Sequence, residues 1–273
     1  MTGRRLASDG EANVGPNRRP GVTNTQSTLI QIDNYGPWMV TPEPRREVDL
    51  QTLQSRLYAD LSQLFGNREG YVFFTRFDNV VAVTDGLDEA AHALIQESVA
   101  NRYPVTVSLS VAADSSPAAA LGVATSQLQD AGSAQDRARP EILTGTLLPD
   151  AERADIDVQI AHFDVNDATG KYTDCLNEFD SFINIEQGYA ELMRYMRKAH
   201  DSLSFFVGGD DVIAVCEAVD HEGYADAVEH VREAVGDLKI VVGRAQTAQA
   251  AGIAAKHALE TCREEDIDVE FAD

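Results

Sequence analysis

The pattern of apolar and polar positions divides most of the chain into short strands and amphipathic helices. In residues 49–64, leucines recur every three or four positions, which is the spacing of one helix face. Asp49 precedes this face and is a suitable N-terminal cap. Apolar runs rich in β-branched and aromatic residues lie on either side, at 28–34 and 71–83. The first part of the chain is therefore predicted to form a strand, a helix and a β-hairpin.

The same order of elements returns in the second half of the chain. The strand TLIQIDN (28–34) is matched by VQIAHFDVN (158–166), and the hairpin YVFFTRFDNVVAV (71–83) is matched by LSFFVGGDDVIAV (203–215). A repeat of this length reports the architecture of the whole chain. The helix that follows the first strand has its counterpart at 174–200. The remaining predicted helix, strand and helix are 88–101, 104–111 and 117–130 in the first half, and 222–235, 238–243 and 247–263 in the second.

These elements predict an α+β fold of two tandem ferredoxin-like, or palm, domains that arose by internal duplication. Each domain has the order β-α-β-β-α-β plus a helix, with an antiparallel sheet that carries helices on one face. Residues 1–22 lack apolar periodicity and are predicted to be a disordered extension. The two domains are then 23–131 and 158–273, and the polar stretch 132–157 is the linker.

Each predicted repeat places carboxylates where the first strand ends and where the hairpin turns. These are Asp33 and Asp78 in the first half, and Asp164 and Asp210 in the second. The strand end and the hairpin turn meet at one edge of such a sheet, so each pair is expected to converge, with Asp164 in the place of Asp33. Two carboxylates at close range repel each other unless a cation lies between them, and Mg²⁺ is a suitable cation. The alternative is that these are solvated turns on an acidic surface.

Composition limits the partners of the chain. Its 273 residues include 22 basic and 45 acidic ones, for a formal charge of −23. This charge argues against nucleic acid or an anionic membrane as a partner. Only four residues are lysine, and an acidic, lysine-poor chain suits the salt-rich interior of a halophile. Neither a membrane-spanning run nor a secretory leader is visible, so a soluble cytoplasmic protein is expected. The three cysteines lack the spacing of a zinc site.

Several motifs resemble known families. The GGDD turn together with AHFDVND (161–167) resembles the superfamily of GGDEF domains and nucleotidyl cyclases. The segments DNYGPW, PRRE, TRFDN and GSAQD in the first half look like the archaeal GTP cyclohydrolase III family, and this resemblance extends from about residue 23 to the C-terminus. In that family translation begins near TNTQ, which implies that residues 1–22 are an extension from an upstream start codon.

The resemblance implies an enzyme that hydrolyses GTP. Members of the family open the imidazole ring between C8 and N9 and remove two phosphates, which gives 2-amino-5-formylamino-6-ribosylamino-4(3H)-pyrimidinone 5′-phosphate. They depend on Mg²⁺, are activated by a monovalent cation such as K⁺, and form homotetramers. The missing zinc ligands agree with this family and not with the zinc-containing GTP cyclohydrolases.

Roles for particular residues follow from the resemblance. Asp33 and Asp78 are the expected catalytic metal pair, and the backbone carbonyl of Asn34 is an expected third metal ligand. Asp164, Asp210 and Asp211 are expected to form a second metal site or to contact the base. The residues expected to bind the triphosphate or to stack on guanine are Arg45, Arg46, Arg76, Tyr35 and Trp38.

Two other functions are compatible with the sequence. A nucleotidyl or diguanylate cyclase would use the same palm and the same metals to join a 3′-hydroxyl to the α-phosphate. A non-catalytic regulator would only bind GTP. The carboxylate pairs are complete in both halves, which favours an enzyme over a sensor.

Overall fold

The computed structural model describes residues 24–76, 78–153, 157–166, 168–265 and 268–272. The chain divides into two compact units. The first comprises Met1–Ser115 and Ala119–Ile156, and the second comprises Ser116–Ala118 and Asp157–Asp273. The predicted disordered extension, residues 1–22, lies outside the described residues.

The first unit is built on a five-stranded sheet. Its strands lie in the order β2-β3-β1-β4-β5, antiparallel except that β5 runs parallel to β4. The elements in chain order are β1 (Thr25–Ile32), α1 (Tyr35–Met39), α2 (Glu47–Gly66), β2 (Tyr71–Phe74), β3 (Asn79–Val83), α3 (Glu89–Arg102), β4 (Val107–Asp114), α4 (Pro117–Asp130), β5 (Leu143–Gly145) and α5 (Asp150–Arg153).

The second unit repeats this arrangement. Its strands lie in the order β7-β8-β6-β9-β10, which is the order of the first sheet when each strand is replaced by its equivalent. The prediction of an α+β fold from an internal duplication is thus confirmed. The elements are β6 (Val158–Val165), a π-helical turn (Thr169–Thr173), α6 (Glu178–His200), β7 (Leu203–Gly208), β8 (Asp211–Cys216), α7 (His221–Val235), β9 (Leu238–Ala245), α8 (Ala248–Glu265) and β10 (Val269–Phe271).

One face of each sheet packs against two amphipathic helices, because successive strand side chains point to opposite faces. In the first unit, Ile30 and Ile32 of β1 point towards α2 and α3. They share one core with the buried leucines of α2, which the sequence pattern predicted. In the second unit, Phe163 and Val165 face α6 and α7. A fully buried side chain of this size contributes about 1.5–3 kcal/mol, so these faces supply the main cohesion of each unit.

A buried glutamine has the same role in both units and shows which positions are equivalent. The side-chain amide of Gln26 donates to the carbonyl of Leu87 at 3.1 Å. That of Gln159 donates to the carbonyl of Val219 at 3.0 Å. In each case the carbonyl lies just before the residue that caps the next helix, Asp88 or Asp220. The matched contacts place Gln26 and Gln159 at the same position of the fold.

The strand register corrects one predicted equivalence. Asp33 N–H donates to the carbonyl of Thr106 at 2.9 Å, and the same bond in the second unit runs from Asn166 to Asp237 at 2.9 Å. Asn166 therefore occupies the place of Asp33. The sequence motifs matched Asp33 with Asp164 because both follow an apolar run. Asp164 lies within strand β6, however, whereas Asp33 follows the last residue of β1.

Asp164 is instead the counterpart of Gln31. Gln31 pairs across the sheet with Asn79 and Ser108. Asp164 pairs in the same way with Lys239.

The predicted linker is also more structured than expected. Residues 132–157 contain β5, which pairs with β4 through Leu109 and Leu143, and they contain α5. Since β5 pairs with β4 of the first sheet, the described part of this stretch, up to Arg153, belongs to the first unit. A three-residue strand has too short an apolar pattern to be recognised among polar neighbours.

Helices also cover part of the second face of the second sheet, which the prediction of helices on one face did not include. Helix α8 packs on β9 there, with Val241 against Leu259 and Cys262. A Cβ at Gly243 would lie 2.1 Å from the carbonyl oxygen of Ala251, so only glycine permits this backbone approach. Among the described residues no helix has the length and hydropathy of a membrane span.

Asp85 is a buried carboxyl group that has no charged partner among the residues that the structure describes. Its Oδ1 accepts the Gln26 N–H at 2.6 Å, while Oδ2 has no hydrogen-bond partner among the described residues. Burial raises the pKa of Asp85 to about 7, and the bond from Gln26 opposes this only in part. The folded state therefore prefers the neutral acid, and this contribution to stability is complete below pH ~4 and is lost as the pH rises through about 7.

We expect Asp85→Asn to flatten the pH dependence of stability. The amide is neutral at every pH, so the variant should gain on the wild type as the pH rises from about 4 to about 7, by on the order of a few kcal/mol, and should keep that gain at higher pH. Denaturant unfolding at constant molar KCl measures this difference, with the exposed Asp130→Asn as the control. A parallel pH profile for Asp85→Asn and the wild type would contradict the assignment.

Candidate metal centre

Three carboxylates converge in the second unit. Asp164 lies near the end of β6, Asp210 lies in the turn between β7 and β8, and Asp211 is the first residue of β8. One ligand oxygen from each lies within 4.8 Å of the others, and this is the one group of three or more metal-ligating acids or bases in the described part of the chain. The structure thus brings together the three residues predicted for the second half.

The glycines of the GGDD turn make this convergence possible. Gly208 and Gly209 have φ values of 118° and 64°, which L side chains rarely adopt. The ladder is irregular between Phe206 and Gly208, and Gly208 pairs directly with Asp211. This tight turn presents Asp210 and Asp211 beside the end of β6.

The cluster is only partly neutralised by its neighbours. His162 Nε2 lies 3.0 Å from Asp211 Oδ1, although neither atom makes a well-oriented hydrogen bond within the described structure. Burial raises the pKa of Asp211, but contacts with His162 and Asp164 and the charge of Lys256 outweigh burial, so the pKa lies below its usual value. Asp211 is therefore ionised at neutral pH.

The donor set suits a hard divalent cation. Three carboxylates around one point, one of them with an unsatisfied buried oxygen, are the ligands that Mg²⁺ takes in proteins. Asp164 is 6% exposed and the other two are partly buried, so a bound ion would remain accessible to a phosphate-bearing ligand.

In the first unit, Asp33 has a different environment from the one expected. Its Oδ1 contacts Arg139 at 2.5 Å and accepts from the Ser108 hydroxyl at 2.7 Å, while Oδ2 accepts from Thr106 at 3.1 Å. The Asp33 and Arg139 side chains are 8% and 3% exposed. The acid is thus held in a buried ion pair. Arg139 was missed because it falls in the stretch predicted to be a linker, although the neighbouring GSAQD motif pointed to this region.

Asp78 lies beside the end of β1, as predicted. Its carbonyl accepts the N–H of Ile32 at 3.0 Å. Its carboxylate accepts from the Asn79 side chain at 2.9 Å and lies 3.5 Å from Arg76. The role of Asp33 and Asp78 as a metal pair stays a prediction.

The loop after β1 is ordered by contacts among the residues predicted to bind substrate. Asn34 has a left-handed φ of 55°, and its carbonyl accepts from Trp38 at 2.9 Å. Tyr35 and Trp38 stack with ring centroids 6.0 Å apart. Tyr35 is buried in the first core, while the Arg45 guanidinium lies 4.0 Å from the centroid of the Trp38 ring. The ring faces of Tyr35 and Trp38 that were predicted to stack on guanine are thus partly occupied by these contacts.

Arg46 and Arg76 are exposed arginines of the first unit. Arg46 pairs with Asp49 at 2.8 Å, and the Arg46 side chain is 78% exposed. Arg76 is 76% exposed. Surface pairs of this kind are weak, so both guanidinium groups can exchange their partners for a phosphate.

The fold and the cluster together define a duplicated palm-like protein with a candidate metal centre in its second repeat. The family model of GTP cyclohydrolase III matches residues 27–271. GTP cyclohydrolase III of Natronomonas pharaonis is 79% identical over 252 residues, which cover 92% of this chain and 100% of the relative. GTP cyclohydrolase III 1 of Halobacterium salinarum is 64% identical over 250 residues, with 91% and 98% covered. This chain belongs to the GTP cyclohydrolase III family.

Solved structures show more distant likenesses. The coiled-coil and GGDEF domain structure of DgcB from Caulobacter crescentus aligns with a TM-score of 0.36 at 15% identity, over 45% of this chain and 73% of that one. A bacterial light-regulated adenylyl cyclase aligns with a TM-score of 0.34 at 10% identity, over 91% and 85%. The strand order and the family relationship carry the assignment here.

We expect Arg139→Ala to destabilise the first unit by about 3–5 kcal/mol, because it leaves the Asp33 carboxylate buried without its partner. Urea unfolding in molar KCl measures the loss. Arg137→Ala is the matched control, since Arg137 is exposed and donates to the Pro37 carbonyl and the Thr41 hydroxyl. Equal stability of the two variants would show that the Asp33 pair is not a stabilising contact.

Proposed function

We propose that this chain is a Mg²⁺-dependent GTP cyclohydrolase that produces 2-amino-5-formylamino-6-ribosylamino-4(3H)-pyrimidinone 5′-phosphate and two phosphates. Membership of the GTP cyclohydrolase III family supports the reaction class. The single structural observation that carries the metal dependence is the cluster of Asp164, Asp210 and Asp211.

The proposed reaction needs water at two kinds of centre. Ring opening adds one water at C8 and breaks the C8–N9 bond, with a proton delivered to N9. Each phosphate removed consumes one further water. Both steps require charge stabilisation where negative charge develops and a positioned proton acceptor.

The chain offers residues for each requirement. Asp164, Asp210 and Asp211 would hold Mg²⁺, which would neutralise charge on phosphate oxygens and would make a bound water more acidic. His162, 3.0 Å from Asp211, is placed to accept or hold a proton beside the cluster. Arg45, Arg46 and Arg76 would bind phosphate oxygens, and K⁺ is proposed as an activator in keeping with the family resemblance.

The proposed reaction predicts a ring-opened product that depends on Mg²⁺. Purified protein with GTP, Mg²⁺ and molar KCl should lose the purine C8 proton signal by NMR and release phosphate, and EDTA should stop both. A cyclic mono- or dinucleotide with the purine intact would support the cyclase instead. Unchanged GTP would support the regulator.

The same assay separates the two carboxylate sets. Asp164→Asn and Asp210→Asn should each lower kcat by roughly 100-fold or more because the metal loses a charged ligand. They should also weaken Mn²⁺ binding measured by electron paramagnetic resonance. Asp33→Asn and Asp78→Asn should leave Mn²⁺ affinity unchanged if the metal centre is confined to the second unit. Loss of Mn²⁺ binding in these two variants would instead support the metal pair predicted in the first unit.

We also propose that the chain assembles with copies of itself, as a homotetramer. Helix α6 carries an exposed apolar stripe of Phe179, Phe182, Ile183 and Met193, with exposed fractions from 37% to 69%. The equivalent helix of the first unit, α2, has one large exposed apolar residue, Val48. The fold itself therefore does not require such a stripe, and a stripe of this kind marks an interaction surface.

The charges of α6 are those of a self-complementary surface. Its first turn carries Glu178 and Asp180, and its last turns carry Arg197 and Lys198. Antiparallel pairing of two copies about a two-fold axis brings the acidic end of each helix to the basic end of the other. The apolar stripe lies between these ends and would be covered.

We expect Phe182→Glu combined with Ile183→Glu to reduce the assembly, because a carboxylate in this stripe would be buried without a partner. Size-exclusion chromatography with light scattering in molar KCl should show a tetramer for the wild type and a smaller species for the variant. Val48→Glu, at an exposed apolar site on α2, should remain tetrameric. A variant of unchanged mass would rule out this surface.

A further inference from the structure

The first unit contains a cleft on the face of its sheet that α4 approaches. It lies between the second face of the first sheet and α4, and its volume is about 420 Å³. Leu29 and Val81 form its floor on the strands, and Leu121 and Leu128 approach from α4. This size lies within the range of roughly 300–1,000 Å³ for sites that hold small molecules.

A difference between the two repeats explains why the cleft is open. Gly243 lets α8 pack backbone to backbone on the second sheet. The equivalent position of β4 is Ala112. The neighbouring contact is also polar in the first unit, where Ser110 donates to Gln127 of α4 at 2.6 Å. Helix α4 makes fewer close contacts with its sheet, and a gap remains.

At the positions equivalent to the metal centre of the second unit, the residues that line the cleft are neutral. Gln31 and Asn79 line it, and these are the counterparts of Asp164 and Asp211 in the metal centre. Thr125 of α4 lines it at the position that Lys256 occupies in α8. The cleft thus has the architecture of the metal centre with amides in place of carboxylates.

The cleft has no acidic residue in its described lining, although the chain carries 45 of them. Arg76 is its one charged residue, with a side chain that is 76% exposed at the rim. Neutral amides do not hold a divalent cation without carboxylates, so a metal is excluded as the principal ligand. The lining suits a ligand that places an uncharged group in the cleft and an anionic group beside Arg76.

The amides of the cleft are fixed in orientation. Gln31 donates to Asn79 at 3.3 Å and accepts from Arg139 at 3.1 Å. Asn79 donates to Asp78 at 2.9 Å. These bonds use one of the two N–H groups of each amide, so donors and acceptors remain for a ligand. Gln129 adds a third amide from α4.

We propose that this amide cleft, lined by Gln31, Asn79, Gln129 and the apolar floor of Leu29 and Val81, binds the guanine ring of a nucleotide. Guanine is flat and uncharged, and its edges present the acceptors O6 and N7 and an amino donor, which amides can match. The choice of guanine over adenine rests on the proposed function. The phosphate of the nucleotide lies towards Arg76.

The guanine belongs either to the substrate GTP or to a second guanine nucleotide that regulates the enzyme. Both sources share the same recognition chemistry, and kinetics distinguish them. Filling the cleft raises KM for GTP in the first case. In the second case it leaves KM and kcat for GTP unchanged and removes only the separate binding event.

The test uses the full chain with GMP as the probe, in molar KCl with EDTA so that the metal centre does not contribute. Calorimetry should show GMP binding to the wild type, and AMP binding at least about tenfold more weakly. Thr125→Phe fills the cleft and should weaken GMP binding by at least about tenfold. Ser126→Phe is the matched control, because Ser126 is exposed on α4 and does not line the cleft.

Two further measurements keep the outcomes separate. Gln129→Leu, on the exposed rim, should reduce the preference for GMP over AMP if Thr125→Phe does not fold by circular dichroism. Unchanged GMP binding in Thr125→Phe, equal affinity for GMP and AMP, or no GMP binding by the wild type would each overturn the proposal. Failure of the wild type to open the ring of GTP with Mg²⁺ would overturn the proposed function instead, and it is observed in a different assay.

Discussion

Each unit depends on the antiparallel pairing of its central strand with the inner strand of the hairpin. Side chains alternate between the two faces of a strand, so a shift of one residue would exchange the core face and the ligand face. The buried glutamines Gln26 and Gln159 tie the start of this pairing to the loop that leads into the next helix. Their contacts make the register the same in both repeats, and the register decides which polar residues face one another.

The two repeats use one pair of facing positions for different chemistry. Asp164 and Asp211 bring two carboxyl groups together, with His162 3.0 Å from Asp211 and the charge of Lys256 nearby, and carboxylates at such range favour a bound cation. Gln31 and Asn79 occupy the same positions in the first unit, and because they are neutral amides they hydrogen-bond directly to each other. Duplication therefore provides a scaffold in which a few substitutions change a candidate cation site into a neutral one.

Charge has opposite consequences at the surface and in the interior of this chain. The formal charge of −23 lies mostly on exposed groups, and molar salt screens their repulsion. The ion pair of Asp33 with Arg139 is buried, and salt screens such a pair much less. It connects the end of β1 to the segment before β5, so it also joins the loop after β1 to the rest of the first unit.

The sequence by itself did not predict the short strands β5 and β10, but it determined the repeat, the order of the main strands and helices, and the fold class. These depend on periodicity and on turn residues, which are local properties; Pro117–Asp130, for example, was predicted with the bounds that α4 has. It also indicated Asp164, Asp210 and Asp211, because the GGDD turn carries a recognisable signal.

Only the tertiary structure decided which polar residues meet. Arg139 reaches Asp33 across more than a hundred residues of chain, and no spacing rule predicts a contact of that range. The match of Asp164 with Gln31, and not with Asp33, depends on cross-strand register. The amide cleft depends on how closely a helix approaches a sheet. Gly243 permits a close approach in the second repeat, and Ala112 stands at the equivalent position in the first. Such approach distances are set by packing between elements, and a linear pattern does not record them.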